Sequence, residues 1–204
     1  MRSSTLLACV LLVALPSCSA WKRCAYEGAG RDDWQQPDDV VAALGIQPGS
    51  QVADLGSGSG YFTLHLARAV GPEGRVYAVD VDEEMNEYLR ERLADEGVEN
   101  VEVVLGEYAD PKLPDGEIDL VFTSNTYHHI EERPDYFRNL KRDLAPGGRV
   151  AVIEFDGSKG LFVRLMGHST GKQLILSEMQ QAGYSVSEDL SLLERQSFIV
   201  FAPQ

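Results

Sequence analysis

The run from Val52 to Tyr61, VADLGSGSGY, limits what this chain can fold into more than any other stretch of it. It leaves an apolar segment and enters one in which Phe62, Leu66 and Val70 recur at helical spacing, so it reads as strand, tight loop, helix. Glycines at 56, 58 and 60 let the backbone turn with positive φ and approach a ligand with no Cβ in the way. A dinucleotide site calls for G-x-G-x-x-G, cradling a pyrophosphate on the helix N-terminus. Here the third glycine comes one residue early and Tyr61 stands where that pattern has glycine, so the spacing points to a ligand without a pyrophosphate. Asp54, two residues before Gly56, agrees with this, because a carboxylate there repels phosphate and can hold an ammonium group. Asp80 closes the next apolar run (VYAVDVD), where a carboxylate can accept two ribose hydroxyls.

Around this motif strand and helix patterns alternate. Apolar runs predict strands at 51–55, 75–79, 101–105, 118–123 and 149–155. Helical periodicity predicts helices from Pro37 to near Gly45 and over 61–70, 83–95, 134–144 and 171–182. A closing antiparallel pair is expected at 184–190 and 197–202. Strands separated by helices mean an α/β protein with a mostly parallel sheet and helices on both faces. At 204 residues one domain is the natural reading. The formal charge of −14 disfavours nucleic acid as a partner.

Taken together, VADLGSGSG, the acid at 80, Gly106-Glu107-Tyr108 after the third strand, Asp119-Leu120-Val121-Phe122 and Leu144-Ala145-Pro146-Gly147-Gly148 resemble the class I S-adenosylmethionine-dependent methyltransferases over about residues 36–204. The resemblance implies a Rossmann-like seven-stranded sheet with an antiparallel C-terminal pair, and S-adenosyl-L-methionine as cofactor. The cofactor-binding set it implies is Asp54, Gly56, Ser57, Gly58, Gly60, Asp80, Val81, Glu107, Tyr108 and Asn125. Asp54 would meet the methionine ammonium, Asp80 the ribose, and Glu107 and Tyr108 the neighbourhood of the adenine.

The residues after the fourth strand separate branches of that family. The Asn/Asp-Pro-Pro-Tyr/Phe turn of enzymes acting on base nitrogens is absent, and Ser124-Asn125-Thr126-Tyr127-His128-His129 stands there instead. Arsenite methyltransferases depend on several cysteines, whereas the three here (Cys9, Cys18 and Cys24) all lie near the start, without zinc-site spacing. The Tyr-His-His stretch and PGGRVAVIEF look most like the ubiquinone/menaquinone-type methyltransferases and their small-molecule relatives, implying a small-molecule or lipid-like acceptor. Tyr127, His128 and His129 follow a strand's C-terminal end, where open α/β sheets bind ligands, and are the candidate catalytic residues. The alternative is that the histidines cap or pack and Tyr127 fills the core. Segment 157–167 has the position of a lid with His168 at its hinge, or of a plain loop. Trp34 and Gln35 could close over the cofactor, with Trp34 otherwise a packing anchor.

The first residues have a different character. Leu6 to Leu15 is an unbroken apolar run behind Arg2, too short to span a bilayer comfortably and shaped like a signal-peptide core. Leu15-Pro16-Ser17-Cys18 resembles a lipobox, although Pro16 departs from it. The expectation is a lipoprotein-type signal peptide over 1–17, a tether over 18–35 and an exported, membrane-anchored domain over 36–204. An uncleaved anchor, or a misassigned start and a cytoplasmic protein, are the alternatives. Export would separate the domain from a cytosolic methyl donor, so a non-catalytic cofactor-binding module stands as a second functional reading. A nicotinamide-dependent oxidoreductase, disfavoured by the glycine spacing, is the third.

Overall fold

The structure, a computed structural model, describes residues 30–156 and 169–204. Its elements are α1 (Arg31–Gln35), α2 (Pro37–Ala43), β1 (Gln51–Leu55), α3 (Tyr61–Val70), β2 (Arg75–Asp80), α4 (Glu83–Glu96) and β3 (Val101–Leu105). There follow β4 (Ile118–Ser124), a 3₁₀ turn (Tyr127–His129), α5 (Arg133–Leu140), β5 (Leu144–Phe155), α6 (Lys172–Gln181), β6 (Tyr184–Leu190) and β7 (Gln196–Pro203). The signal, lipobox and most of the tether, together with segment 157–167 and His168, lie outside the described residues. Among the described residues no helix is long and apolar enough to cross a membrane.

One seven-stranded sheet runs in the order β3-β2-β1-β4-β5-β7-β6, parallel except for β7, which is antiparallel to both its neighbours. Its middle strands are buried on both faces and so read as continuous apolar runs. Along β5, Val150 and Val152 face one layer while Ala151 and Ile153 face the other. α2 and α3 cover the second face through Val40, Phe62, Leu66 and Val70. α5 and α6 cover the first through Tyr136, Phe137, Leu140, Ile175 and Met179. α4 adds Leu89 and Leu93 against Ala78. Each of these large side chains stabilises the fold by about 1.5–3 kcal/mol through burial. The chain leaves β1 toward β2 on one side, while β4 pairs with β1 on the other. The strand order therefore reverses between β1 and β4, and the crevice beyond their C-terminal ends is where such sheets take ligands.

The predicted elements all form, with three differences. The last residues of the expected tether fold into α1 instead of trailing into the domain. Helix α5 stops at Leu140. β5 begins at Leu144, where Leu144 pairs with Ile118 before the register skips to Arg149 opposite Leu120 across the Pro146-Gly147-Gly148 bulge.

Candidate functional site

The site is built at the reversal of strand order. Beyond β1 the chain turns at Gly56, with φ 79° and its N–H on the Val79 carbonyl at 2.8 Å. A Cβ at Gly56 would lie 2.1 Å from Thr126 Oγ1, so only glycine lets the β1 and β4 loops touch. Gly60 also has positive φ, and a Cβ there would lie 2.3 Å from Leu89 Cδ1. Its role is to let α3 pack against α4. The Gly58 N–H donates to Asp80 Oδ2 at 2.9 Å, and the Asp82 N–H to Oδ1 at 3.0 Å, fixing the Asp80 carboxylate at the end of β2. Gly58 and Gly60 shape this loop and are not among the residues that line the cavity.

A cavity of about 1060 Å³ opens over this loop. Asp54, Gly56, Ser57, Asp80, Val81, Glu107, Tyr108, Asn125, His128 and His129, all expected from the sequence, lie on its wall. Asp54 is buried, accepts from Thr63 Oγ1 at 2.6 Å, and has its pKa pushed up to about 6, chiefly by loss of hydration. The Thr63 hydrogen bond and the Arg31 guanidinium oppose that rise, while the Asp80 carboxylate adds to it. Ser57 and Ser59, also on the wall, have buried hydroxyls with no partner among the described residues. Tyr108 stands exposed at the rim. With Asp54, Asp80, Asp82, Glu83 and Glu107 against Arg31, the wall favours a cationic ligand.

Asn125 leaves β4 in the left-handed region, φ 57°, which a short amide tolerates. Its N–H reaches the Ile153 carbonyl at 2.9 Å, and its Oδ1 accepts from Gln196 Nε2 at 2.7 Å. Then comes the 3₁₀ turn. At three residues per turn, consecutive side chains point about 120° apart, so the three cannot all share one wall. Tyr127 accordingly goes into the core, fully buried, stacked on Phe137 at 5.4 Å and donating to Glu178 Oε2 at 3.0 Å. Its candidacy as a catalytic or acceptor-contacting residue is corrected by that placement, which keeps it off the cavity wall. His128 and His129 do reach the wall, their rings 4.0 Å apart.

Several further groups surround the site. Glu154 of β5 is fully buried, with Oε2 at 2.9 Å from His128 Nδ1 and 3.2 Å from the His128 backbone nitrogen. Its Oε1 accepts from the Phe155 N–H at 2.8 Å. α1 packs across the cavity: Trp34 stacks on Phe155 at 5.5 Å, Gln35 donates to Ser124 Oγ at 2.9 Å, and Tyr61 donates to Asp32 Oδ1 at 2.6 Å. The Arg31 guanidinium lies 3.7 Å from the Tyr61 ring centroid. Trp34 and Arg31 line the cavity, whereas Gln35 is buried behind it.

Residues 52–148 match the family described as a methyltransferase domain. The chain is 36% identical over 117 residues to the ubiquinone/menaquinone biosynthesis C-methyltransferase of Ectopseudomonas mendocina, covering 57% of this chain and 46% of that protein. It is 38% identical over 113 residues to the arsenite methyltransferase of Halobacterium salinarum, covering 55% and 29%. It therefore spans about half the length, or less, of these curated relatives. Among solved structures, a SAM-dependent methyltransferase from Aquifex aeolicus superposes with a TM-score of 0.82 at 26% identity, covering 90% of this chain and 97% of that one. Sheet order, glycine loop, acidic wall and these likenesses agree, and residues 52–148 form a methyltransferase domain of the S-adenosylmethionine-dependent kind.

Proposed function

We propose that the protein transfers a methyl group from S-adenosylmethionine to a small-molecule or lipid-like acceptor. The observation that carries this reading is a single cavity, about 1060 Å³, that takes in both the glycine loop with its acids and the His128-His129 turn. That volume stands at the top of the usual range for a small-molecule site, room for a cofactor and a small acceptor together. When bound, S-adenosylmethionine supplies an electrophilic methyl carbon on a sulfonium. The residues present fit it: the wall is acidic, and the unpartnered Ser57 and Ser59 hydroxyls offer donors. Asp80 would hold the ribose, Asp54 and Asn125 the methionine end, and Val81, Glu107 and Tyr108 the adenine side. The chain's own contribution is alignment and exclusion of water, with α1 and Trp34 forming one side of the enclosure. The relatives named for ubiquinone/menaquinone biosynthesis and for arsenite methylation favour a small acceptor.

Titration of the full chain with S-adenosylhomocysteine by calorimetry tests the cofactor assignment. Asp80→Ala removes a charge-assisted hydrogen-bond pair, and the expected loss of about 1.5–3 kcal/mol is roughly ten- to a hundredfold in affinity. Unchanged affinity in a variant that melts like the parent removes Asp80 from the ribose.

The lipid anchor is a separate part of the proposal, supported by the apolar run 6–15 and by Leu15-Pro16-Ser17-Cys18. Intact mass of membrane-extracted protein is expected to show a diacylglyceryl group on Cys18 and loss of residues 1–17. A soluble product with Met1 in place would end that proposal.

A further inference from the structure

We infer that Glu154 is a positioning residue, holding His128 as the Nδ1–H tautomer so that Nε2 takes a proton from the acceptor, and that the acceptor's nucleophile is therefore a hydroxyl or an acidic carbon. This rests on the methyltransferase reading above and deepens it.

A carboxylate with no solvent exposure is costly in a strand whose neighbours are apolar. By the alternation of β5, Glu154 continues the face of Val150 and Val152, where an apolar side chain would serve packing better. Instead its two oxygens collect three nitrogen contacts. Oε1 accepts the Phe155 N–H and Oε2 accepts the His128 backbone N–H, so both oxygens act as acceptors. The third contact, His128 Nδ1 at 2.9 Å from Oε2, is then best made with the ring nitrogen as donor. A neutral imidazole that donates from Nδ1 carries its lone pair on Nε2. The same carboxylate grips both the backbone and the ring of His128, fixing the residue's position and its ring together. His128 lies on the cavity wall with a side chain only 7% exposed, so the ring is held and largely dry. The ring of His129 packs against that of His128.

A proton acceptor is needed only where the nucleophile must lose a proton. The acceptor's O–H or C–H proton passes to His128 Nε2 while its electron pair forms the bond to the methyl carbon. The methyl–sulfur bond breaks with its pair returning to sulfur, and the neutral thioether leaves. The imidazolium, paired with Glu154, then gives its proton to solvent. A thiol that ionises readily, or an amine attacking through its lone pair, has no use for this arrangement.

The test uses the full chain labelled with ¹⁵N-histidine and saturated with S-adenosylhomocysteine, read by long-range ¹H–¹⁵N correlation. Four histidines are present, and the His128 signals are those lost in His128→Ala. The parent is expected to show His128 protonated at Nδ1 and bare at Nε2. Glu154→Gln cannot accept on both atoms of its amide, and is expected to mix the tautomers. Glu154→Asp keeps the charge but draws it back, and should give an intermediate result if the glutamine variant melts too low to study. A parent protonated at Nε2, or a tautomer unchanged in both variants, overturns the proposal. Methyl transfer to phenol and thiophenol reads the acceptor class, because the two match in shape but the thiol ionises far more easily. Glu154→Gln is expected to slow transfer to phenol about tenfold to a hundredfold, and transfer to thiophenol less than threefold. Equal losses on both probes mean a structural role only and overturn it. Failure of the parent to bind S-adenosylhomocysteine removes the methyltransferase reading itself, and is seen by calorimetry independently of the tautomer.

Discussion

Replacing His128 by alanine is expected to lower turnover about 10²–10⁴-fold while leaving S-adenosylhomocysteine affinity within about twofold of the parent. The separation follows from position. His128 reaches the cavity from the turn after β4, whereas the acids Asp54 and Asp80 that fit the cofactor sit at the ends of β1 and β2. Removing the imidazole takes away a proton acceptor and leaves those acids in place. His129→Ala is the internal comparison: its ring packs at a tilt against that of His128, and its loss is expected to cost less than tenfold. Release of S-adenosylhomocysteine, measured with an acceptor found by screening small molecules, gives the rates, and melting curves of both variants guard against a folding effect. His128→Ala with full activity, or with cofactor binding lost in step with rate, would remove His128 from the transfer step.

The strands were legible because the middle of the sheet is buried on both faces and must be apolar throughout, as in VAVIEF of β5 and FIVFA of β7. Helix α3 was legible for the opposite reason, since only one face of it is buried and Phe62, Leu66 and Val70 mark that face. α1 was not. RDDWQ has neither length nor period, and isolated helices that short do not hold themselves. Its order comes from partners far along the chain: Tyr61 for Asp32, Ser124 for Gln35 and Phe155 for Trp34. β5 was read as starting late because Pro146-Gly147-Gly148 has the composition of a turn, yet a bulge lets Leu144 reach Ile118 first.

In the site, positions reached by backbone geometry were legible and those reached by tertiary approach were less so. The acids at the ends of β1 and β2 follow from motif and register, and they line the cavity. A glycine pattern does not by itself tell approach to a ligand from approach to a neighbouring element, and in the structure the Gly58 N–H meets Asp80 while Gly60 lies against Leu89. Tyr127 was grouped with its two neighbours because a sequence does not reveal a 3₁₀ turn, whose three-fold spacing sends it to the core. Glu154 did leave a trace, a lone acid closing a buried strand, but its partner lies 26 residues away. Gln196 left none, since its reach to Asn125 depends on β7 lying beside β5.

Asp54→Asn is expected to raise the stability of the ligand-free protein at pH 7.5 by about 3 kcal/mol, the free energy equivalent of the displacement of its pKa. Burial raises the folded-state value to about 6 from an ordinary value of 3.8. The folded state therefore holds this proton more tightly than the unfolded one, so the contribution from Asp54 is fully favourable below about pH 4. It is lost progressively as pH rises to about 6, and above that the buried charge costs the full amount. Asparagine can still accept from the Thr63 hydroxyl but carries no charge to desolvate. For a chain of this size the gain corresponds to roughly 6–12 °C in melting temperature at pH 7.5, shrinking toward zero near pH 4. Function should move the other way. A cation bound beside Asp54 compensates the buried charge, so S-adenosylhomocysteine should stabilise the parent by more than it stabilises the variant. Thermal melts of both proteins between pH 4 and 8, with and without S-adenosylhomocysteine, read all of this together. A variant no more stable than the parent at pH 7.5, or one whose advantage does not change with pH, would show that the Asp54 charge is already compensated within the protein. A variant that gains as much from the ligand as the parent would place the ammonium elsewhere.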